Sequence, residues 1–205
     1  MGCERTDVAV HLLAALGYGE SKLRTEILIS RRAARVPSTI IRPPPVYGPR
    51  DSDILPVFQM VRHGILPITG RRNTLDLVYV KNLVCAIRLA MESEAATART
   101  YHVADAHPYT WEGFGGHMGA CLGRPPLTVA VPGPLLWAVG WVAQRVARLV
   151  GAEVTVNDQK VREIRVRHWR FSWERAREEL GYQPPYSVEQ AMAETVEWYR
   201  AHRWL

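Results

Sequence analysis

Tyr18 and Lys22 are the residues whose types and spacing most directly offer chemistry. In Tyr18-Gly-Glu-Ser-Lys22 they stand at i and i+4. On a helix such positions share one face, a turn apart. A phenol with a pKa of about 10 is a poor base at neutral pH, but a neighbouring ammonium favours the phenolate and lowers that value. The pair can therefore move a proton as a general acid or base. Lysine is scarce here: Lys22, Lys81 and Lys160 are the only lysines among 26 basic residues. An arginine-rich chain that keeps a lysine at this spacing suggests that the ammonium matters. Taken alone, Tyr-x-x-x-Lys also fits an ordinary amphipathic helix with a tyrosine near its start.

The elements that would position this pair follow from periodicity. Residues 18–35 read as a helix, with Leu23, Ile27 and Ala34 on one side and Arg24, Arg31, Arg32 and Arg35 largely on the other. Pro37 ends it. Residues 38–42 read as a short buried strand that runs into Pro43-Pro44-Pro45 and Val46-Tyr47-Gly48-Pro49. A helix is predicted over 54–63 with Gly64 as its stop, a turn at 70–73, and a strand over 75–80. A helix over about 82–92 and a strand over 100–104 come next. The second half is more helical, with candidates at 110–122, 135–150, 158–166 and 172–180, the last capped by Gly181. Ser187-Val-Glu-Gln190 is a capping-box pattern and predicts a final helix over about 188–202. Strands alternating with helices indicate an α/β fold with a mainly parallel sheet.

Composition narrows the function classes. The 205 residues are 47% hydrophobic and 22% charged, with 15 Gly and 14 Pro. That is globular composition, which excludes disorder, collagen-like repeats and coiled coil. Cys3, Cys85 and Cys121 lie far apart, so neither a disulfide framework nor a cysteine-built zinc site is expected, and a reducing compartment is. The seven histidines are scattered without His-Glu-x-x-His spacing, and no metal is expected. The net charge of +6 is spread along the chain, densest at Arg162, Arg165, Arg167, His168 and Arg170. No aromatic-interleaved motif accompanies it, so a solvated basic face is expected rather than a nucleic-acid site. Residues 1–17 do not read as a secretory leader, because Glu4 and Asp7 precede the apolar run and no cleavage-like site follows it. The longest charge-free window, 125–144, is broken by Pro125, Pro126, Pro132 and Pro134 and cannot be one spanning helix.

In order, YGESKLRTE, IIRPPPVYGPRD, LDLVYVKNLVCAI, YHVADAHPYTWEGF and LGYQPPYSVEQAMAETVEWYR resemble the extended short-chain dehydrogenase/reductase superfamily. The resemblance is to its NAD-dependent epimerase/dehydratase and 3β-hydroxysteroid-dehydrogenase-like branches, and it covers about residues 18–205. It implies Tyr18 as the proton donor or acceptor at a substrate hydroxyl or carbonyl. It implies Lys22 as the group that lowers the tyrosine pKa and bonds the nicotinamide ribose. It places Pro43, Pro44, Pro45 and Val46 along the nicotinamide of NAD or NADP. Prolines suit a stiff wall beside a flat ring and offer only carbonyls there, so a backbone N–H to the carboxamide comes from Val46 or beyond. Asp76 and Tyr79 match the family's strand before the next helix, where a strand-end turn residue and a packed aromatic would serve as well. Lys81-Asn82 stands where the family often has acidic residues.

The sequence also departs from the family. Its opening strand, glycine-rich turn and helix, which hold the pyrophosphate, have no counterpart here. Gly113, Gly115 and Gly116 fall in a helix-like segment and are not that fingerprint. Thr6 is the only nearby upstream hydroxyl, and no catalytic serine or threonine is assigned. The expected architecture is a partial Rossmann-like parallel sheet without its N-terminal dinucleotide-binding units, joined to a smaller, mostly helical substrate-binding region. Residues 1–17 form an atypical segment and 18–205 one compact unit. The apolar helix expected within 129–150 would cover a lipophilic pocket, rest on a membrane surface or pack in the core of the smaller domain. The expected activity is an NAD(P)-dependent oxidoreductase or epimerase acting on a secondary alcohol or ketone in the cytoplasm. The rivals are a non-catalytic interaction module of the same fold and, third, a basic membrane-surface or nucleic-acid-binding protein. Weak NAD(P)H binding and self-association through an open sheet edge are also expected.

Overall fold

Residues 18–32, 35–68, 74–131, 168–169 and 172–205 are described by the computed structural model. In chain order the elements are α1 (Tyr18–Arg32), β1 (Ile40–Arg42), β2 (Val46–Tyr47), α2 (Leu55–Arg62), β3 (Ile65–Ile68), β4 (Thr74–Leu75) and β5 (Val78–Tyr79). Then come α3 (Val80–Glu92), β6 (Thr100–His102), β7 (Tyr109–Thr110), α4 (Trp111–Leu122), β8 (Leu127–Ala130), β9 (His168–Trp169), α5 (Glu174–Leu180) and α6 (Val188–Ala201). The fold is mixed α/β with short, mainly parallel strand pairs, as the alternation of elements predicted.

Contacts divide the chain into two compact units. The first comprises Met1–Val46, Asp76–His107 and Arg170–Tyr186, the second Tyr47–Leu75, Pro108–Trp169 and Ser187–Leu205. In the first, β1 and β6 pair in parallel, with Ile40 opposite Thr100 and Arg42 opposite His102. Its core joins Val78, Tyr101, Val103 and Tyr182 to the small residues Ala86 and Ala90 of α3. Alanines one turn apart let a helix backbone approach its neighbours closely while still burying apolar surface. α5 ends where predicted, with Gly181 in the left-handed region at φ 65° and its N–H bonded back to Arg177.

In the second unit β3 and β8 pair in parallel, and β4 lies between antiparallel β7 and parallel β9. Thr110 caps α4, its hydroxyl accepting from the Gly113 N–H at 3.0 Å. The capping box at α6 forms as predicted: the Ser187 N–H donates to Gln190 Oε1 at 2.9 Å and Ser187 Oγ accepts from the Gln190 N–H. The core holds Tyr47 edge-on to Phe114 and Phe58 edge-on to Tyr199. Gly113, Gly115 and Gly116 lie inside α4.

Several elements differ from the sequence expectation, among them the short strands β2, β7 and β9, which the sequence reading had not predicted. The strand predicted over 75–80 is interrupted at Asp76-Leu77, because Thr74-Leu75 pairs within the second unit while Val78-Tyr79 belongs to the first. β3 and β8 have no counterpart among the predicted strands: Pro67 interrupts Ile65–Ile68, and Val129-Ala130 opens the apolar segment 129–150. Among the described pairings β3 has only β8 as a neighbour, so one flank tolerates a residue without an N–H. The expectations for residues 1–17, 70–73, 135–150 and 158–166, and for the basic stretch 162–167, lie outside the described residues.

Candidate active site

α1 carries Tyr18 and Lys22 on fifteen residues. Glu20 in its first turn and Arg31 and Arg32 in its last complement the helix dipole. The Glu20–Arg24 pair is exposed on both sides and adds little. Tyr18 opens the helix, and its phenol lies outside the described atoms. Lys22 follows one turn later and is exposed.

One turn beyond Lys22, about 6 Å of helix rise, Glu26 fixes α1 to the sheet. Arg42 Nε donates to both Glu26 oxygens at 3.1 and 3.2 Å, and Arg42 Nη2 to Oε2 at 2.5 Å. Both side chains are only 21% exposed. Arg42 is the last residue of β1, immediately before Pro43. The fork therefore ties the helix bearing Tyr18 and Lys22 to the strand that feeds the proline turn. Within that turn Pro43 and Pro45 are exposed, Pro44 is buried, and Val46 is 38% exposed. The Pro45 carbonyl accepts from the Val78 N–H at 3.2 Å, which turns it toward the fold.

Pro43 follows β1 and Val103 follows β6, so the proline turn and Asp105 leave the same ends of two adjacent parallel strands. Those carboxyl ends are where open α/β sheets bind ligands. Asp105 is 5% exposed and was not singled out in the sequence. Its Oδ1 accepts from the Tyr79 N–H at 3.0 Å and from Asn82 Nδ2 at 2.8 Å. Tyr79 is the N-cap of α3, whose first turn has no acidic residue. Asp105, three residues after β6, thus supplies the carboxylate that the first turn of the helix lacks. Asn82, fully buried, also accepts from the Tyr186 N–H at 3.0 Å and donates to the Tyr186 carbonyl at 3.1 Å. The only sequence signal was an aspartate just after a strand and a polar residue in the first turn of a helix.

Asp76 is buried, and Tyr79 is a packed aromatic, edge-on to Tyr186 at 5.6 Å. Lys81 Nζ lies 5.6 Å from the centre of the Tyr186 ring. Tyr182 is pushed well above the ordinary phenol range by burial and then by Asp105, and its hydroxyl donates to the Ala104 carbonyl. Tyr101 rises to about 12 through burial and its hydrogen bond to Glu179. Burial likewise raises Tyr199. These three phenols stay protonated at neutral pH and serve as structural donors. Among the described residues no helix is long and apolar enough to cross a membrane.

The sequence profile of the 3-beta hydroxysteroid dehydrogenase/isomerase family matches residues 17–128. A 2-alkyl-3-oxoalkanoate reductase of Shewanella oneidensis is 29% identical over 173 residues, covering 80% of this chain and 44% of that protein. A ceramide reductase of Caulobacter vibrioides is 26% identical over 191 residues, covering 92% and 58%. Among solved structures, an epimerase from Methanothermobacter thermautotrophicus matches with a TM-score of 0.68 at 17% identity, over 91% of this chain and 50% of that one. The dTDP-glucose 4,6-dehydratase of Streptomyces venezuelae, solved with NAD and TYD bound, matches with a TM-score of 0.63 at 20% identity, over 91% and 51%. The chain spans about half the length of the curated relatives it matches. The structural neighbours share the Rossmann-like α/β fold, in agreement with the ordered motifs from YGESK to the C-terminal helix. The chain belongs to the 3-beta hydroxysteroid dehydrogenase/isomerase family.

Proposed function

We propose that this chain provides the proton-transfer and nicotinamide-facing part of an NAD(P)-dependent oxidoreductase or epimerase of the extended short-chain class, acting on a secondary alcohol or ketone. The observation that carries the reading is the Glu26–Arg42 fork, which joins the Tyr18/Lys22 helix to the strand before the proline turn. The residues present fit the nicotinamide end of a dinucleotide. Lys22 is an exposed ammonium for ribose hydroxyls, Pro43 and Pro45 are exposed flat surfaces, and Val46 is the first residue after the prolines with an N–H to offer. When bound, the nicotinamide supplies or accepts the hydride. Tyr18 exchanges a proton with the substrate oxygen, and Lys22 keeps the phenol acidic enough to do so near neutral pH. The reductase names of the curated relatives, and the NAD in the dehydratase structure, favour this chemistry over an interaction role.

The test is ketone-dependent oxidation of NADH and NADPH at millimolar cofactor, followed by Tyr18→Phe. Loss of a general acid or base costs about 10²–10⁴-fold. Lys22→Met should lower the rate and weaken cofactor binding together, because one ammonium serves both. Turnover unchanged in Tyr18→Phe removes Tyr18 from the mechanism. No turnover of any ketone at any cofactor concentration favours a non-catalytic module.

A further inference from the structure

In the parallel pair of β3 and β8, Ile65 stands opposite Leu127 and Pro67 opposite Val129. Side chains alternate along a strand and partners in register share a face, so these four stand together on one side. The other side belongs to the core of the second unit: Leu66 and Ile68 are buried, and Leu66 lies over Gly115 of α4. The side with Ile65 is open. Ile65 is 49% exposed, Leu127 71% and Val129 39%, and Pro67 is half-buried. Parallel strands are ordinarily covered on both faces. Three exposed aliphatic side chains and a proline on one face of such a pair form an apolar patch of the kind that marks an interaction surface.

The charges that the flanking segments supply are of one sign. The Leu127 N–H donates to the Gly64 carbonyl at 2.8 Å, which brings the turn before β3 beside the start of β8. Arg62 and His63 precede that turn, and Arg124 reaches into it: a Cβ on Gly64 would stand 2.7 Å from Arg124 Nε. All three side chains are exposed. α2 has no acidic residue. α4 has Glu112 alone, in its first turn, about 15 Å of helix from the end that leads to Arg124. The sequence has no Asp or Glu between Asp53 and Asp76, or between Glu112 and Glu153.

We propose that the open face of β3 and β8 docks on an anionic phospholipid surface. Ile65, Leu127 and Val129 enter the boundary between headgroups and acyl chains, and Arg62 and Arg124 meet the lipid phosphates. A second copy would bring another cationic rim to this one, whereas an anionic bilayer answers the apolar side chains and the charge together. The contact is peripheral: it needs no spanning helix and only side chains that are already exposed. The inference does not depend on the proposed activity.

Flotation of the full chain with lipid vesicles tests it. The chain should float with vesicles of phosphatidylcholine mixed with phosphatidylglycerol, far less with phosphatidylcholine alone, and less in high salt. Leu127→Glu should weaken binding to the mixed vesicles about tenfold or more, because it removes an aliphatic side chain from the contact and adds a like charge. Arg124→Glu should weaken it as well and flatten the salt dependence. No binding to mixed vesicles, equal binding to phosphatidylcholine alone, or full binding retained by either variant overturns the proposal. A lipid-free dimer that Leu127→Glu dissociates, read by light scattering, assigns the face to a second copy and also overturns it. Should Leu127→Glu fail to fold, the Leu127→Cys variant decides, labelled with an environment-sensitive fluorophore after Cys3, Cys85 and Cys121 are replaced by serine. Its emission should shift to the blue on addition of mixed vesicles, and an unshifted spectrum refutes the docking.

Discussion

Arg42→Ala should release the helix that carries Tyr18 and Lys22. A fifteen-residue helix is marginal by itself in water. α1 gains limited burial, since Ile27 and Leu28 remain 43% and 56% exposed. The Glu26 fork is therefore a large share of what holds it. Exposed ion pairs contribute about 0–1 kcal/mol and breaking a fully buried one costs about 3–5. With three charge-assisted contacts and one-fifth exposure, this pair falls between, at about 2 kcal/mol. For a chain of this size that is roughly 4–8 °C in Tm. Arg42→Lys keeps the charge but loses the fork and should recover about half. Thermal denaturation gives the stability, and hydrogen exchange across residues 18–32 locates the loss. A change below about 0.5 kcal/mol, or exchange that rises everywhere except α1, refutes the reasoning.

Gly119→Ala should destabilise by about 1–3 kcal/mol, because the new Cβ would stand 2.5 Å from Pro126 Cδ and 2.8 Å from the Arg124 carbonyl oxygen. Chemical denaturation measures this, and wild-type stability would show that the 124–126 turn yields freely. Tyr101 is raised to about 12 from the ordinary phenol value, so its contribution is complete below about pH 10 and is lost as pH rises through 12. Its partner Glu179 is lowered, first by its hydrogen bond to Arg175 and then by that to Tyr101, so its contribution is present above the usual carboxylate range and fades as pH falls below it. Tyr101→Phe should flatten stability curves at both ends, and unaltered acid and alkaline slopes would count against the pair. The exposed Val84, Ile87 and Met91 stripe on α3 predicts that the 205-residue chain self-associates. Light scattering that reports a 23.2 kDa monomer at all concentrations would rule this out.

Local signals in the sequence determined much of this protein. The caps at Gly181 and Ser187, the helix that sets Tyr18 and Lys22 a turn apart, and the strand before three prolines were all legible. Each depends on residues within about four positions of one another. The ordered motifs also carried the family, which the profile match over residues 17–128 bears out. Tertiary structure decided what depends on distant partners. Ile65–Ile68 and Leu127–Ala130 are strands because they pair with each other across some sixty residues. The segment 74–79 is two strands because its ends belong to different units. Glu26 and Arg42 read as two ordinary charges until the fold brings them together. Asp105 read as a residue at the end of a strand, yet it caps α3, 26 residues earlier in the chain. Periodicity reports which face of an element is apolar, whereas the partner of a buried charge is fixed only by packing.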